Sequence, residues 1–88
     1  MSNTIETTLD ERDSRYGLYK DHAQTSQELK EAMQKHEGWA DLNYMQKESL
    51  EMIAHKIARI LNGDPYYKDN WHDIAGYATL VERGIDNV

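Results

Sequence analysis

The sequence predicts an all-α domain of three helices that follows a flexible N-terminal arm. Apolar residues recur at helical spacing in three stretches, and turn residues separate those stretches. No stretch shows the period-2 alternation of an amphipathic strand, which favours the all-α class. The predicted helices cover residues 18–36, 44–61 and 70–83, within a single predicted domain at residues 14–88.

Residues 1–13 are predicted to form the flexible arm. They mix Ser, Thr, Asn and acidic residues, and apart from Met1 only Ile5 and Leu9 are apolar. Such a segment has too little apolar surface to offset the entropy that ordering would cost. We therefore expect the folded domain to begin near residue 14.

The first predicted helix has an unusually polar packing face. Its amphipathic face contains Leu18, Tyr19, His22, Ser26, Leu29, Ala32 and Met33. The helix is expected to end near His36, with Gly38 placed to stop it. A histidine on such a face is most often a hydrogen-bonded core residue, and this is the interpretation we favour for His22.

The second predicted helix has the clearest boundaries. Asn43 followed by Gln46 three residues later matches a capping box. Asn62 and Gly63 predict a left-handed stop at the other end. Its apolar stripe comprises Leu50, Ile53, Ala54, Ile57, Ile60 and Leu61.

The third predicted helix follows a turn at Pro65. Asp69 or Asn70 is expected to cap its start, and Asp73 lies in its first turn, near the positive end of the helix dipole. Its stripe comprises Trp71, Ile74, Ala75, Ala78, Val81 and Ile85. Three helices of this size bury little apolar surface, so we expect the protein to form a homo-oligomer.

Composition narrows the range of functions. The 88 residues include no cysteine, which excludes disulfides and cysteine-based zinc sites. No apolar run is long enough for a membrane span or a signal peptide, so a cytoplasmic protein is expected. A net charge of -6 argues against direct binding to nucleic acid, because such binding depends on Lys and Arg neutralising phosphates.

Three acidic residues are candidate metal ligands. Glu48 and Glu51 stand three residues apart on the second predicted helix, and Asp73 follows on the next. Oxygen ligands of this kind suit Mg²⁺. Acidic pairs at this spacing are also common on solvated helix faces, and Asp73 can be explained as a helix-start residue. Both interpretations stay open, whereas zinc is not expected because His55 and His72 lack a histidine partner at i, i+4.

Two basic residues and a tyrosine are candidate nucleotide ligands. Lys56 can present its ammonium to an acid or a phosphate, and Arg59 can neutralise charge on phosphates. Tyr77 is one of several tyrosines that could stack on a base. The alternative is that the tyrosines only close a small helical core.

Three segments together resemble a small phage and prophage domain family of unknown function. They are RYGLYKDH at 15–22, EMIAHKIARILNGDP at 51–65 and NWHDIAGYATLVE at 70–82. The resemblance covers residues 12–83, and that family is similar to the MazG-like all-α nucleoside triphosphate pyrophosphohydrolases. Those enzymes hold Mg²⁺ with a Glu-x-x-Glu pair and a Glu-x-x-Asp pair. Here Glu48-x-x-Glu51 matches the first pair, and Asn70-x-x-Asp73 has asparagine where the family has glutamate.

The resemblance implies a protein that binds or hydrolyses a nucleotide with Mg²⁺. Glu48, Glu51 and Asp73 would hold the metal, and Lys56, Arg59 and Tyr77 would bind the nucleotide. The alternative is a non-catalytic, phage-encoded binding protein in the host cytoplasm. It would sequester a nucleotide signal or inhibit a host defence complex through an acidic surface that imitates nucleic acid. A structural or accessory phage protein is the third possibility.

Overall fold

The computed structural model describes residues 4–86, which form four α helices and one short 3₁₀ helix. The elements are α1 (Thr4–Tyr16), α2 (Tyr19–Gln34), the 3₁₀ helix (Glu37–Asp41), α3 (Tyr44–Asn62) and α4 (Lys68–Asp86). Helix α3 lies at the centre and packs against both α2 and α4. The predicted all-α class is confirmed, and no strand occurs within the described residues.

The prediction of three helices is wrong, because most of the predicted arm belongs to α1. Local interactions stabilise this helix in place of an apolar stripe, and none of its residues is buried. The Thr8 hydroxyl donates to the Thr4 carbonyl at 2.7 Å, and the Ser14 hydroxyl donates to the Glu11 carbonyl at 2.8 Å. Arg15 and Glu11 form an ion pair at i, i+4 with a separation of 3.9 Å.

Helix α1 ends at a left-handed glycine. Gly17 has a φ of 82° and donates its amide to the Asp13 carbonyl at 2.9 Å. The left-handed stop predicted at Gly63 is wrong, since Gly63 has a φ of -124°. Glycine is needed at position 63 for a different reason, which is close contact between two chain segments.

The end of α1 crosses the end of α3 at backbone contact distance. The Asp64 amide donates to the Arg15 carbonyl at 2.8 Å. A Cβ atom on Gly17 would overlap the backbone of Asn62, and one on Gly63 would overlap the backbone of Arg15. Both glycines are therefore required where the segments cross.

Helix α2 ends at Gln34, two residues before the predicted end. The chain then enters the 3₁₀ helix, whose start is capped by His36. The Gly38 amide donates to His36 Nδ1 at 3.3 Å. Gly38 therefore lies inside this short helix and does not terminate α2.

The start of α3 agrees with the sequence prediction. The Gln46 amide donates to Asn43 Oδ1 at 2.8 Å, and the Asn43 amide donates to Gln46 Oε1 at 2.9 Å. These reciprocal bonds confirm the capping box. Helix α3 covers Tyr44–Asn62, against a predicted range of 44–61.

Helix α4 starts at Lys68, so the predicted cap at Asp69 or Asn70 is wrong. The Asp69 carboxylate accepts a hydrogen bond from the Tyr67 hydroxyl at 2.9 Å. Asn70 is directed into the protein and is only 1% exposed. Its side chain is buried, and no capping hydrogen bond of Asn70 to the start of α4 is seen.

The interior of the described chain is mostly polar. Ala54 and Ala58 are the only apolar side chains that are buried in the described residues. The buried polar residues are His22, Ser26, Ser49, Lys56 and Asn70. Buried polar groups in proteins normally have hydrogen-bond partners, so any of these groups without one requires an explanation. Within residues 4–86, no helix has the length and apolar composition that a membrane span requires.

Candidate functional site

Five polar side chains on α2, α3 and α4 make up what we call the polar cluster: His22, Ser26, Lys56, Arg59 and Asn70. All are buried except Arg59, which is half-buried. Four of them have a buried atom without a hydrogen-bond partner in the described chain: His22 Nδ1, Ser26 Oγ, Arg59 Nε and Asn70 Nδ2. Unpaired buried polar groups are costly, so these four atoms are the ones from which a ligand would gain most by supplying a hydrogen-bond partner.

Helical spacing places the members of the polar cluster on shared faces of their helices. His22 and Ser26 stand four residues apart on α2, and Lys56 and Arg59 stand three apart on α3. Residues at these separations share a helix face. Helix α3 packs against both α2 and α4, and the Lys56 side chain reaches Asp73 of α4.

Lys56 makes the one ion pair between α3 and α4 found in the described residues. Its Nζ lies 3.0 Å from Asp73 Oδ2. The Lys56 side chain is 10% exposed, whereas that of Asp73 is 43% exposed. A buried ammonium needs such a partner, so Asp73 compensates the charge of Lys56.

Arg59 lies against an aromatic ring and keeps one donor free. Its guanidinium is 4.1 Å from the centre of the Tyr16 ring, a cation–π contact. Burial lowers the pKa of Arg59. The negative ends of Tyr16 and Asp73 raise this pKa, and the positive charge of Arg12 lowers it further. The Nε atom of Arg59 is buried and has no acceptor in the described chain.

Two histidines at the polar cluster, His22 and His55, have lowered pKa values. The rings of His22 and His55 lie 5.9 Å apart in an edge arrangement. Burial lowers the pKa of His55 to about 4, and the positive charges of Arg59, Lys30 and Lys56 contribute to this shift. Burial and Arg59 also lower the pKa of His22. The two rings therefore lie near positively charged side chains, although the chain as a whole carries a charge of -6.

Tyr77 lies on the same side of α4 as the Lys56–Asp73 pair. It lines an open pocket of about 320 Å³ together with His72, Asp73, Gly76 and Leu80. Tyr77 also borders a depression between α3 and α4 that Glu48 lines. The predicted nucleotide ligands Lys56, Arg59 and Tyr77 thus lie along neighbouring parts of α3 and α4.

A comparison with protein-family models matches residues 1–84 to the family described as "Domain of unknown function (DUF6378)". The chain belongs to the DUF6378 family. No curated protein and no solved structure matches the chain. The matched range includes the whole polar cluster, so this cluster is part of the DUF6378 domain.

The predicted metal ligands lie on two helices of the DUF6378 domain, Glu48 and Glu51 on α3 and Asp73 on α4. Glu48 is exposed, Glu51 is half-buried, and Asp73 already contacts the Lys56 ammonium. Within residues 4–86, no three His, Cys, Asp or Glu side chains are grouped closely enough to hold a metal ion. Binding of Mg²⁺ by these residues stays a prediction.

Sequence reasoning named only part of the polar cluster. Lys56 and Arg59 were predicted as ligands, and His22 was expected in the core, where it is buried but has an unpaired Nδ1. Ser26 was only placed on the packing face of the first predicted helix, and Asn70 was expected to cap a helix or to replace a glutamate of the family pattern. The signal for Ser26 was its position on the packing face of α2, and that for Asn70 was its place in the family pattern where glutamate is expected.

Proposed function

We propose that this DUF6378 domain binds a nucleotide, with the polar cluster holding the phosphates. The observation that carries the proposal is the pair of buried donors, Arg59 Nε and Asn70 Nδ2, that lack an acceptor in the described chain. Leaving a buried donor unpaired costs about 1–3 kcal/mol. Phosphate oxygens of a ligand are the acceptors that these donors would pair with.

The charge at the polar cluster supports an anionic ligand. Burial lowers the pKa of His55, and the positive charges of Arg59, Lys30 and Lys56 lower it further, so several cations lie near this ring. An anion relieves the repulsion among these cations, and arginine suits phosphate because its planar fork donates two parallel hydrogen bonds. The amide of Asn70 also fits this role, since a neutral donor serves a phosphate better than a carboxylate would.

The pocket beside Tyr77 supports a base or sugar at the other end of the ligand. Its volume of about 320 Å³ is at the lower end of the range for small-molecule sites. The Tyr77 ring offers a surface for stacking. Lys56 pairs with Asp73 of this pocket and also belongs to the polar cluster, so it connects the two ends.

The resemblance to MazG-like enzymes supports the same ligand class and adds a catalytic form of the proposal. In that form, Glu48, Glu51 and Asp73 hold Mg²⁺, which polarises the phosphates and activates water. It requires the three carboxylates to converge when the nucleotide binds. It also requires Asp73 to release or share the Lys56 ammonium.

Calorimetry with ribonucleoside and deoxyribonucleoside triphosphates, with and without Mg²⁺, tests the binding. We expect the wild type to bind, and Arg59→Gln and Asn70→Asp each to weaken binding by about 10- to 100-fold, the effect of losing a hydrogen bond to a charged group. Lys35→Gln is the matched control, because it removes the same charge at the far end of α2. No heat with any nucleotide, or an equal loss in the control, would overturn the proposal.

Pyrophosphate release with the same nucleotides and Mg²⁺ tests the catalytic form. The expected result is turnover by the wild type and none by Glu51→Ala. Equal release by the two proteins would exclude metal-assisted hydrolysis by Glu51 and leave the binding proposal intact.

Exposed tyrosines favour the alternative of a binding protein for a host complex. Tyr44 is 89% exposed, Tyr66 is 87% exposed and Tyr19 is 72% exposed. Tyrosine is enriched at protein interfaces. Recovery of a host protein in stoichiometric amount, lost on substitution of these tyrosines and accompanied by no nucleotide affinity, would support this alternative together with the predicted phage origin.

A further inference from the structure

An apolar face lies on the side formed by α2, α3 and α4, where Leu50 is 38% exposed and the neighbouring apolar side chains are half-buried. We call it the apolar face and define it by Leu29, Met33, Leu42, Leu50, Ile53 and Val81. These side chains line three open depressions of about 330, 460 and 160 Å³, and Leu50 belongs to all three. Among the described residues that line them, none is Asp, Glu, Lys or Arg.

The chain exposes more surface than a folded monomer of its size. Its accessible area is 6657 Å², and its mass is 10.3 kDa. The usual scaling of area with mass gives about 5,400 Å² for such a monomer, so the surplus is about 1,300 Å². A standard interface buries about 800 Å² per partner, and obligate homodimers bury more.

The dimensions of the chain agree with the surplus of surface. The radius of gyration is 15.3 Å, with extents of 53 × 26 × 22 Å. A compact domain of this length has a radius of gyration of about 12 Å. Helix α1, none of whose residues is buried, contributes to this elongation together with the incompletely packed helices.

We infer that the apolar face is the interface of a homodimer. Ala54 and Ala58 are the only buried apolar side chains among residues 4–86, which is too small a core for a stable domain. The chain therefore needs a permanent partner for its own stability. A second copy is the occupant that is always present, and the surplus area matches what such an interface buries.

Charge also favours a second copy on this particular face. Each copy carries a charge of -6, so two copies repel one another at long range. A surface without acidic side chains adds no local repulsion to this, and the apolar face meets this condition. Because salt screens the repulsion, the dimer should become tighter as ionic strength rises.

Sedimentation velocity at micromolar concentration tests the oligomeric state. We expect a wild-type dimer whose dissociation constant falls at least several-fold when NaCl is raised from low to physiological concentration. Leu50→Lys should produce a monomer or an unfolded chain. Leu9→Lys, the same change at a half-exposed site on α1, should leave the dimer intact. A folded wild-type monomer would overturn the inference.

Single cysteines test the assigned face without adding charge to it. The chain has no cysteine, so Leu50→Cys creates one thiol per copy. In a symmetric interface, a central residue faces its own copy across the two-fold axis. Mild oxidation should crosslink Leu50→Cys at least ten times faster than Leu9→Cys. Equal rates in the two variants would overturn the assignment of this face.

Discussion

Gly17 and Gly63 lie where the α1–α2 junction meets the end of α3, and neither position has room for a side chain. Gly17 also has a positive φ of 82°, which costs other L-residues about 1–2 kcal/mol. Gly76 lies within α4 and has no atom within 4 Å of the position that a Cβ would occupy. Substitution by alanine should therefore have opposite effects on stability at the two kinds of position.

Gly17→Ala should lower the free energy of unfolding by at least about 2 kcal/mol, because strain at φ and overlap with Asn62 act together. Gly76→Ala should raise it by about 0.5–1 kcal/mol through helix propensity. Urea denaturation followed by circular dichroism gives both values. Stabilisation by Gly17→Ala would show that the two segments do not cross as described.

The lowered pKa of His55 predicts that the protein becomes less stable in mild acid. Its pKa is about 4 in the folded protein, against 6.5 for an unperturbed histidine. The unfolded chain therefore binds a proton between these values while the folded chain does not. The contribution of neutral His55 to the free energy of unfolding is fully present above pH 6.5 and is lost as pH falls towards 4.

Between pH 7 and pH 5, His55 should account for about 1 kcal/mol of lost stability, after a discount for solvent screening. The measurement is urea denaturation of the wild type and His55→Gln across this range. The variant should show the smaller decrease, with His22 contributing in the same direction. Identical pH dependence in the two proteins would contradict the assigned environment of His55.

At the scale of the elements, α3 was predicted best because its signals are local. The capping box of Asn43 and Gln46 involves residues three apart, and both of its bonds form. Helix α1 was missed because it has no apolar stripe, and local hydrogen bonds and an ion pair hold it instead. The start of α4 was misplaced because Asn70 is buried in the tertiary structure, which overrides its preference for a cap.

Removal of the cap tests the start of α3. Asn43→Ala should lower the free energy of unfolding by about 0.5–2 kcal/mol, because the Gln46 amide loses its acceptor. Asn43→Asp keeps an acceptor and should cost much less. Thermal denaturation of both variants is sufficient, and an equal decrease in melting temperature would argue against the capping role.

At the scale of the whole molecule, the apolar pattern predicted helices but not which faces would be buried. Leu50 and Leu61 were assigned to an apolar stripe, yet they are 38% and 68% exposed in the isolated chain. His22 and Ser26 occupy buried positions instead. Periodicity identifies a face, whereas the choice between solvent, a second copy and a ligand depends on how the helices pack.

The candidate site could likewise be predicted only in part, because its geometry depends on how the helices pack. The resemblance to MazG-like enzymes grouped Lys56 and Arg59 as nucleotide ligands, and the structure adds Asn70 and the unpaired donors that only packing reveals. Helical spacing relates Glu48 to Glu51, but Asp73 lies on the next helix, so spacing could not fix its position relative to the pair. Their arrangement depends on the pairing of Asp73 with Lys56, which sequence alone left open.

The central claim is that buried donors of the polar cluster receive phosphate oxygens from a nucleotide. Its most direct test is the ¹⁵N–¹H resonance of Arg59 Nε, assigned through Arg59→Lys and followed while nucleotide is added. We expect a downfield, saturable proton shift and slower solvent exchange, as a charge-assisted hydrogen bond forms. An Arg59 Nε resonance that stays unchanged at saturating nucleotide would contradict the account.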